Sequence, residues 1–288
     1  MLNRMANRWK LAIRFSREGS GLVDKARLFV AGVARGRAFD QKSIYGRTLF
    51  ALFPTVTARI GKLNDYKISF DLSDYVDTLI FEELVLEGIY PLNDIPFEPD
   101  LVIDAGACRG LFTLMVSPRY PNAKYVCFEP EPHNFERLRQ HLKLNSVVAE
   151  THRCVVSDSD EPVMFDGWGF GGAITKASDK SSAIAVPAKR LDEFLRTARP
   201  NKLLLKMDIE GAEESVLPQI LEYLPSTTAI FLETHQTDCD KYLEQYRRNG
   251  FVGSVIRKRA GEDAKTEYVE WFFIRDQGTD QSKRFTLR

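Results

Sequence analysis

The sequence predicts an α/β fold built on a doubly wound, mostly parallel sheet of seven strands. Two observations predict it. From residue 100 onward, short apolar runs alternate with segments of helical period, the order expected of a parallel sheet. The runs themselves, such as Leu101-Val102-Ile103 and Ala229-Ile230-Phe231-Leu232, are continuously apolar, as strands buried on both faces are. Composition agrees: 288 residues, 44% hydrophobic and 28% charged, is ordinary globular usage, which excludes disorder, collagen and a small disulfide scaffold. The longest uncharged stretch, residues 48–58, is far short of the ~20 apolar residues of a spanning helix.

Residues 1–96 read as a basic N-terminal extension and cap, and residues 97–288 as the α/β domain. Residues 1–47 carry eleven Lys/Arg and three Asp/Glu, a local excess of +8 in a chain of zero net charge. Such asymmetry points to an interaction tail. Leu2, Met5, Trp9, Ala12 and Ile13 recur at helical spacing opposite a mostly basic face, with Leu11 and Phe15 outside the stripe. A helix of this kind lies on a membrane surface or a partner, or packs on the protein's own body. Capping a site and holding a homodimer together are further uses of such an extension. Tyr66, Ile68, Phe70 and Leu72 then alternate as a strand, and a helix follows from 75 to 86, with Asp71 and Ser73 offering cap oxygens and Gly88 and Pro91 ending it.

Strands are expected at 101–104, 124–128, 151–156, 203–208, 228–233, 251–256 and 270–275, and helices near 109–117, 132–144, 190–197, 212–223 and 238–249. Only residues 257–269 separate the last two strands, which predicts an antiparallel pair at one edge. Residues 157–189 form an insertion around Asp166-Gly-Trp168-Gly-Phe170-Gly-Gly172, read as a hairpin or as a lid over the site. The four cysteines, Cys108, Cys127, Cys154 and Cys239, make no C-x-x-C pair, so neither a zinc pattern nor a disulfide framework is present and a reducing cytoplasm is expected.

Chemistry concentrates where predicted strands end. Asp104-Ala-Gly106-Ala-Cys108-Arg-Gly110 is a glycine turn between strand and helix, which lets backbone approach a ligand. It is neither G-x-G-x-x-G nor a phosphate loop. Glu129, at the tip of the second strand, is placed to accept hydrogen bonds from two ribose hydroxyls. Asp104 would repel a diphosphate and suits a cationic ligand, and S-adenosylmethionine is cationic and carries an adenosine. Further on, Asp208 and Glu210 alternate at the end of an apolar strand, and Glu233-Thr234-His235 ends its neighbour. Glu213 reads as an acid favoured by a helix dipole. His133, His141 and His152 share no metal spacing and read as ordinary.

These segments, Asp104-Ala-Gly-Ala-x-x-Gly110, Phe128-Glu129-Pro130-x-Pro-x-Asn134-Phe135 and above all Lys206-Met-Asp208-Ile-Glu210-Gly-Ala-Glu213, resemble the FkbM-type family of S-adenosylmethionine-dependent methyltransferases over roughly residues 65–275. The resemblance implies a class I methyltransferase (Rossmann-like) sheet with an antiparallel last strand, and methyl transfer to oxygen of a hydroxylated small molecule, sugar or glycan. It assigns Asp104, Gly106 and Gly110 to the cofactor loop, Glu129 to the ribose and Asp158 to the adenine. Cys108 stands where the family commonly has Asn. For the acceptor proton three roles stay open: His235 as general base, a magnesium ion on Asp208 and Glu210, or a His235 that only shapes the pocket. The rival readings are a nucleotide-cofactor oxidoreductase and an inactive adenosyl-ligand-binding or scaffolding protein. Nucleic acid is not expected as a partner, because the basic segment is confined to the N-terminus.

Overall fold

A computed structural model describes residues 2–35, 55–166, 173–175, 183–235, 240–260 and 267–276. Two compact units emerge: residues 1–89 with 140–147, and residues 90–139 with 148–288. The division falls at 89/90, where the sequence reading put it at 96/97.

The first unit opens with two helices, α1 (Leu2–Arg17) and α2 (Leu22–Arg35). They meet through Ala12, Phe15, Leu28 and Ala31, all fully buried. Gly32 is what lets them come so close, since a Cβ there would lie 2.7 Å from the Ala12 Cα. The buried face is turned from the stripe read in the sequence. Phe15 is inside, whereas Trp9 and Ile13 are exposed. Residue spacing defines the faces of a helix, but the helix packed beside it selects which one is covered.

Two antiparallel strands follow, β1 (Thr55–Ile60) and β2 (Tyr66–Asp71). The helix α3 (Tyr75–Phe81) is capped by Asp74, whose carboxylate accepts from the Val76 N–H at 3.0 Å. Asp71, expected as a cap, accepts instead from the Ser73 amide and hydroxyl. Residues 140–147 join this unit through side chains that complete the edge of β2. The Asn145 amide brackets Lys67, accepting from its N–H at 2.6 Å and donating to its carbonyl at 2.8 Å. His141 Nε2 sits 3.2 Å from the Ser69 nitrogen, a structural role.

The second unit carries β3 (Leu101–Ala105), α4 (Leu111–Val116), β4 (Lys124–Phe128), the part of α5 (Pro132–Leu144) before residue 140, β5 (Glu150–His152), β6 (Val155–Ser157), β7 (Val163–Asp166), β8 (Ala173–Thr175), β9 (Ile184–Val186), β10 (Ala188–Arg190), α6 (Leu191–Ala198), β11 (Lys202–Met207), α7 (Glu213–Ile220), β12 (Thr227–Thr234), α8 (Asp240–Arg248), β13 (Val252–Ala260) and β14 (Glu267–Arg275). Seven of the strands form one sheet in the order β13-β14-β12-β11-β3-β4-β5. β14 runs antiparallel to both its neighbours, and the remaining neighbours pair in parallel. This is the class I methyltransferase sheet expected from the sequence. Every residue of β3 is buried, as its unbroken apolar run requires.

Two details differ from expectation. The third strand, read as 151–156, is two short pieces. β5 pairs with β4 in the main sheet, and β6 pairs in parallel with β10 outside it. The insertion is a three-stranded antiparallel sheet, β8-β7-β9, rather than a simple hairpin. Its Trp168/Phe170 glycine segment, and the lid reading attached to it, lie outside the described residues, as does Cys239. No helix among the described residues is long and apolar enough to cross a membrane.

The chain leaves β3 toward β4 on one side, and β11 lies on the other. The carboxyl ends of β3 and β11 are therefore the switch point of the sheet, where α/β folds bind ligands.

Candidate active site

The glycine turn follows β3 directly. Gly106 has φ +75°, and a Cβ there would overlap the carbonyl oxygen of Asp208 at the end of the neighbouring strand, so only glycine fits. Gly110, at φ +78°, has Leu138 against the place a side chain would take. Between them Cys108 sits at φ +47°, also left-handed. Asn, the residue that the resemblance leads one to expect here, tolerates that region better than most because its short amide bonds locally. Burial, then the nearby Glu129 charge, holds the Cys108 thiol well above its ordinary pKa, so it is not a reactive thiolate.

Glu129, 5% exposed at the end of β4, locks this loop in place. One carboxylate oxygen accepts from the Cys108 N–H at 2.7 Å and the other from the Glu131 N–H at 2.9 Å. Two of its roughly four lone-pair sites stay available. Burial pushes its carboxyl up to about 7. Asp104 is 1% exposed, accepts from the Thr113 hydroxyl at 2.7 Å, and keeps one oxygen with no hydrogen-bond partner among the described residues.

Lys206 was not assigned a role from the sequence. Its ammonium donates to the Gly106 carbonyl at 2.5 Å, and lies 3.4 Å from Asp208 Oδ2 and 3.9 Å from Asp104 Oδ1. It thus ties the glycine turn after β3 to the acidic end of β11. The available signal was a lysine inside the apolar run Leu203-Leu-Leu205-Lys206-Met207, where a charge persists only with partners.

The acidic rim follows β11 and β12. Glu210 takes a left-handed conformation, φ +55°, with no glycine to ease it. Such backbone costs on the order of 1 kcal/mol and gathers at functional sites. What holds it there is Glu213, whose carboxylate accepts from the Ile209 N–H at 3.1 Å and the Gly211 N–H at 2.8 Å. The same carboxylate lies 2.9 Å from His235 Nδ1. So Glu213 does more than satisfy a helix dipole: it fixes both the loop and the imidazole. The other ring nitrogen, Nε2, faces Glu210 at 3.3 Å, Asp208 at 3.7 Å and Glu233 at 3.9 Å. Burial disfavours the charged ring, but the Glu213 hydrogen bond and the Glu213, Asp208 and Glu210 charges push His235 up to about 10. Burial and the Asp208 charge lift Glu210 to about 7 and Glu233 to about 8. Arg259 steadies Glu233 at 2.8 Å.

The structure therefore gathers Asp208, Glu210 and His235 into one cluster, and Asp104, Gly106, Gly110 and Glu129 around one loop. Asp158 stands apart from both sets of hydrogen bonds: it is exposed after β6 and accepts from the Ser157 hydroxyl at 3.2 Å. Tyr90, missed in the sequence because it lies in a connector, packs its ring on Phe112 and Phe231 beside the central strands.

The family model of the methyltransferase FkbM domain matches residues 104–252, just over half of the chain, and spans the whole of this cluster. The chain belongs to the FkbM methyltransferase family. The chain is 27% identical over 162 residues to Methyltransferase 1 of Beauveria bassiana, a match covering 48% of this chain and 65% of that protein. It is 27% identical over 157 residues to the 2-O-methyltransferase NoeI of Sinorhizobium fredii, covering 47% and 64%. The chain thus matches slightly less than two thirds of each relative's length. Among solved structures, TYW2 of M. jannaschii in complex with AdoMet superposes with a TM-score of 0.44 at 15% identity, covering 77% of this chain and 87% of that one. The strand order, not that distant likeness, defines the fold.

Proposed function

We propose that this FkbM methyltransferase moves the methyl group of S-adenosylmethionine to a hydroxyl oxygen of a small molecule, sugar or glycan. The observation that carries the reading is the meeting, at the carboxyl ends of β3 and β11, of a glycine loop pinned by Glu129 with the rim of Asp208, Glu210 and His235. The cofactor fits the residues present. Gly106 and Gly110 let the loop turn at left-handed φ beside the strand ends, Glu129 retains acceptor sites for ribose hydroxyls, and the carboxylates of Asp104 and Asp208 suit a cationic ligand. S-adenosylmethionine supplies a methyl carbon already activated for displacement. The name of the 2-O-methyltransferase relative supports oxygen as the target.

The protein's share is alignment and removal of one proton. Both nitrogens of His235 face carboxylates, so neither has a lone pair directed at an acceptor. Its charged ring positions Glu210. Glu210 is the more exposed of the two, and its carboxylate takes the proton of the acceptor hydroxyl as that oxygen forms its bond to the methyl carbon and the carbon–sulfur bond breaks.

A second reading has its own observation: Asp208, Glu210 and His235 offer ligand atoms that all lie within 4.8 Å of one another. Glu213 on Nδ1 would orient the imidazole as outer partners of metal-bound histidines do. Two carboxylates with an imidazole fit manganese or iron(II) better than the magnesium expected from Asp208 and Glu210 alone. A cation there would polarise the acceptor oxygen.

The test is transfer of labelled methyl from S-adenosylmethionine to a panel of diols, sugars and glycans. Label recovered as an O-methyl ether supports the proposal. Label on nitrogen or carbon only, or none on any acceptor while the cofactor binds, overturns it. Repeating the assay after EDTA separates the two readings of the rim. Turnover is expected to stay within about twofold if Glu210 is the base, and to vanish and return with Mn²⁺ if a cation acts.

A further inference from the structure

We infer that the hairpin of α1 and α2 seats on an anionic membrane surface. The inference concerns the first unit alone and stands apart from the catalytic reading. The hairpin already spends one apolar stripe on itself, through Ala12, Phe15, Leu28 and Ala31. A second apolar set faces outward: Trp9 is 52% exposed, Ile13 45%, Leu22 86% and Val23 63%. Trp9 and Ile13 are one turn apart on α1. Leu22 lies seven residues before Phe29 on α2, on the same side, and the Trp9–Phe29 ring contact, 5.6 Å between centroids, joins the two helices' stripes. Single exposed apolar residues are unremarkable; a joined set with a tryptophan marks a docking face.

Charge selects the occupant. The two acids of the hairpin are both committed, Glu18 to Lys62 at 2.9 Å and Asp24 to Arg59 at 3.0 Å. Lys10, Arg14, Arg17 and Lys25 are exposed and make no ion pair among the described residues. Aliphatic and indole groups bordered by unopposed cations match the boundary between acyl chains and anionic headgroups. A second copy of the chain would bring the same four cations face to face, which like-charge repulsion opposes. Nucleic acid would leave Ile13, Leu22 and Val23 without a partner.

Sedimentation of the full chain with vesicles tests this. Vesicles of phosphatidylcholine with phosphatidylglycerol are expected to retain the protein, and phosphatidylcholine alone to retain it poorly. Retention should fall as salt rises. Lys10→Ala with Arg14→Ala should weaken it about fivefold per charge removed. Ile13→Glu with Leu22→Glu should weaken it at least tenfold. These surface changes leave the buried contacts intact, so unchanged far-ultraviolet circular dichroism and cofactor affinity confirm that the fold persists. Equal retention on both vesicle types, no retention on either, or a concentration-dependent dimer abolished by Ile13→Glu would overturn the inference.

Discussion

Replacing Glu210 with Gln lowers the rate of methyl transfer at saturating substrates by about 10²–10⁴-fold, the usual contribution of a positioned base. Affinity for S-adenosylmethionine is expected to stay within about twofold, because Glu129 and the glycine loop are untouched. The split matters, since a merely structural Glu210 would change both together. Glu213 holds the strained loop through backbone amides, so the amide side chain enters without altering φ at that position. The pH profile gives an independent check. Burial and Asp208 hold the Glu210 carboxyl near 7, so wild-type turnover rises with pH through that region as the carboxylate forms. Glu210→Gln should lose that limb. A turnover within a few fold of wild type, with the limb intact, would remove Glu210 from the chemistry.

Lys206→Met produces the largest expected loss of stability. Removing one partner from a buried charged cluster leaves the others uncompensated, at a typical cost of about 3–5 kcal/mol. Here the ammonium is 7% exposed and stands between Asp104, 1% exposed, and Asp208, 23% exposed. Urea unfolding of the full chain measures the loss. Adding Asp208→Asn is expected to recover part of it, because one uncompensated charge goes with it; strict additivity of the two changes would show that they do not interact. Lys206→Met should also raise the cofactor Kd, since the Gly106 carbonyl loses its donor.

The fold was legible because the signal is local. Leu101-Val102-Ile103 and Leu203-Leu204-Leu205 announce buried strands by composition alone, and the short link from 257 to 269 forces the last pair antiparallel. What escaped depends on contacts between distant segments. Asn145 and His141 join β2 through bonds to Lys67 and Ser69, more than seventy residues earlier, and no period reports them. The face of α1 that packs is chosen by Gly32 on α2, which is why Phe15 is inside and Ile13 is not.

The site divides the same way. Asp208, Glu210 and His235 were legible because strand ends deliver side chains to one rim. Their protonation was not: His235 has an ordinary value in isolation, and the Glu213, Asp208 and Glu210 carboxylates packed around it push it up to about 10. Lys206 and Glu213 were visible as residues but not as partners, since Lys206 bonds a backbone carbonyl a hundred residues earlier and Glu213 meets the His235 ring from a different strand end. Asp158 was placed by family position, and the structure leaves it on the surface after a strand that pairs outside the main sheet.

The most direct measurement is calorimetric titration of the full chain with S-adenosylmethionine and S-adenosylhomocysteine, with NADH as control, from pH 6 to pH 8. Binding of both adenosyl ligands and not NADH is predicted, with Glu129→Ala weakening it about 10²-fold for the loss of charge-assisted hydrogen bonds. Because the ligand needs the Glu129 carboxylate and burial holds that group near 7, binding at pH 6 should be weaker than at pH 8, and protons should be released on binding. A folded protein that binds NADH in preference, or binds neither adenosyl ligand, would contradict the account at its centre.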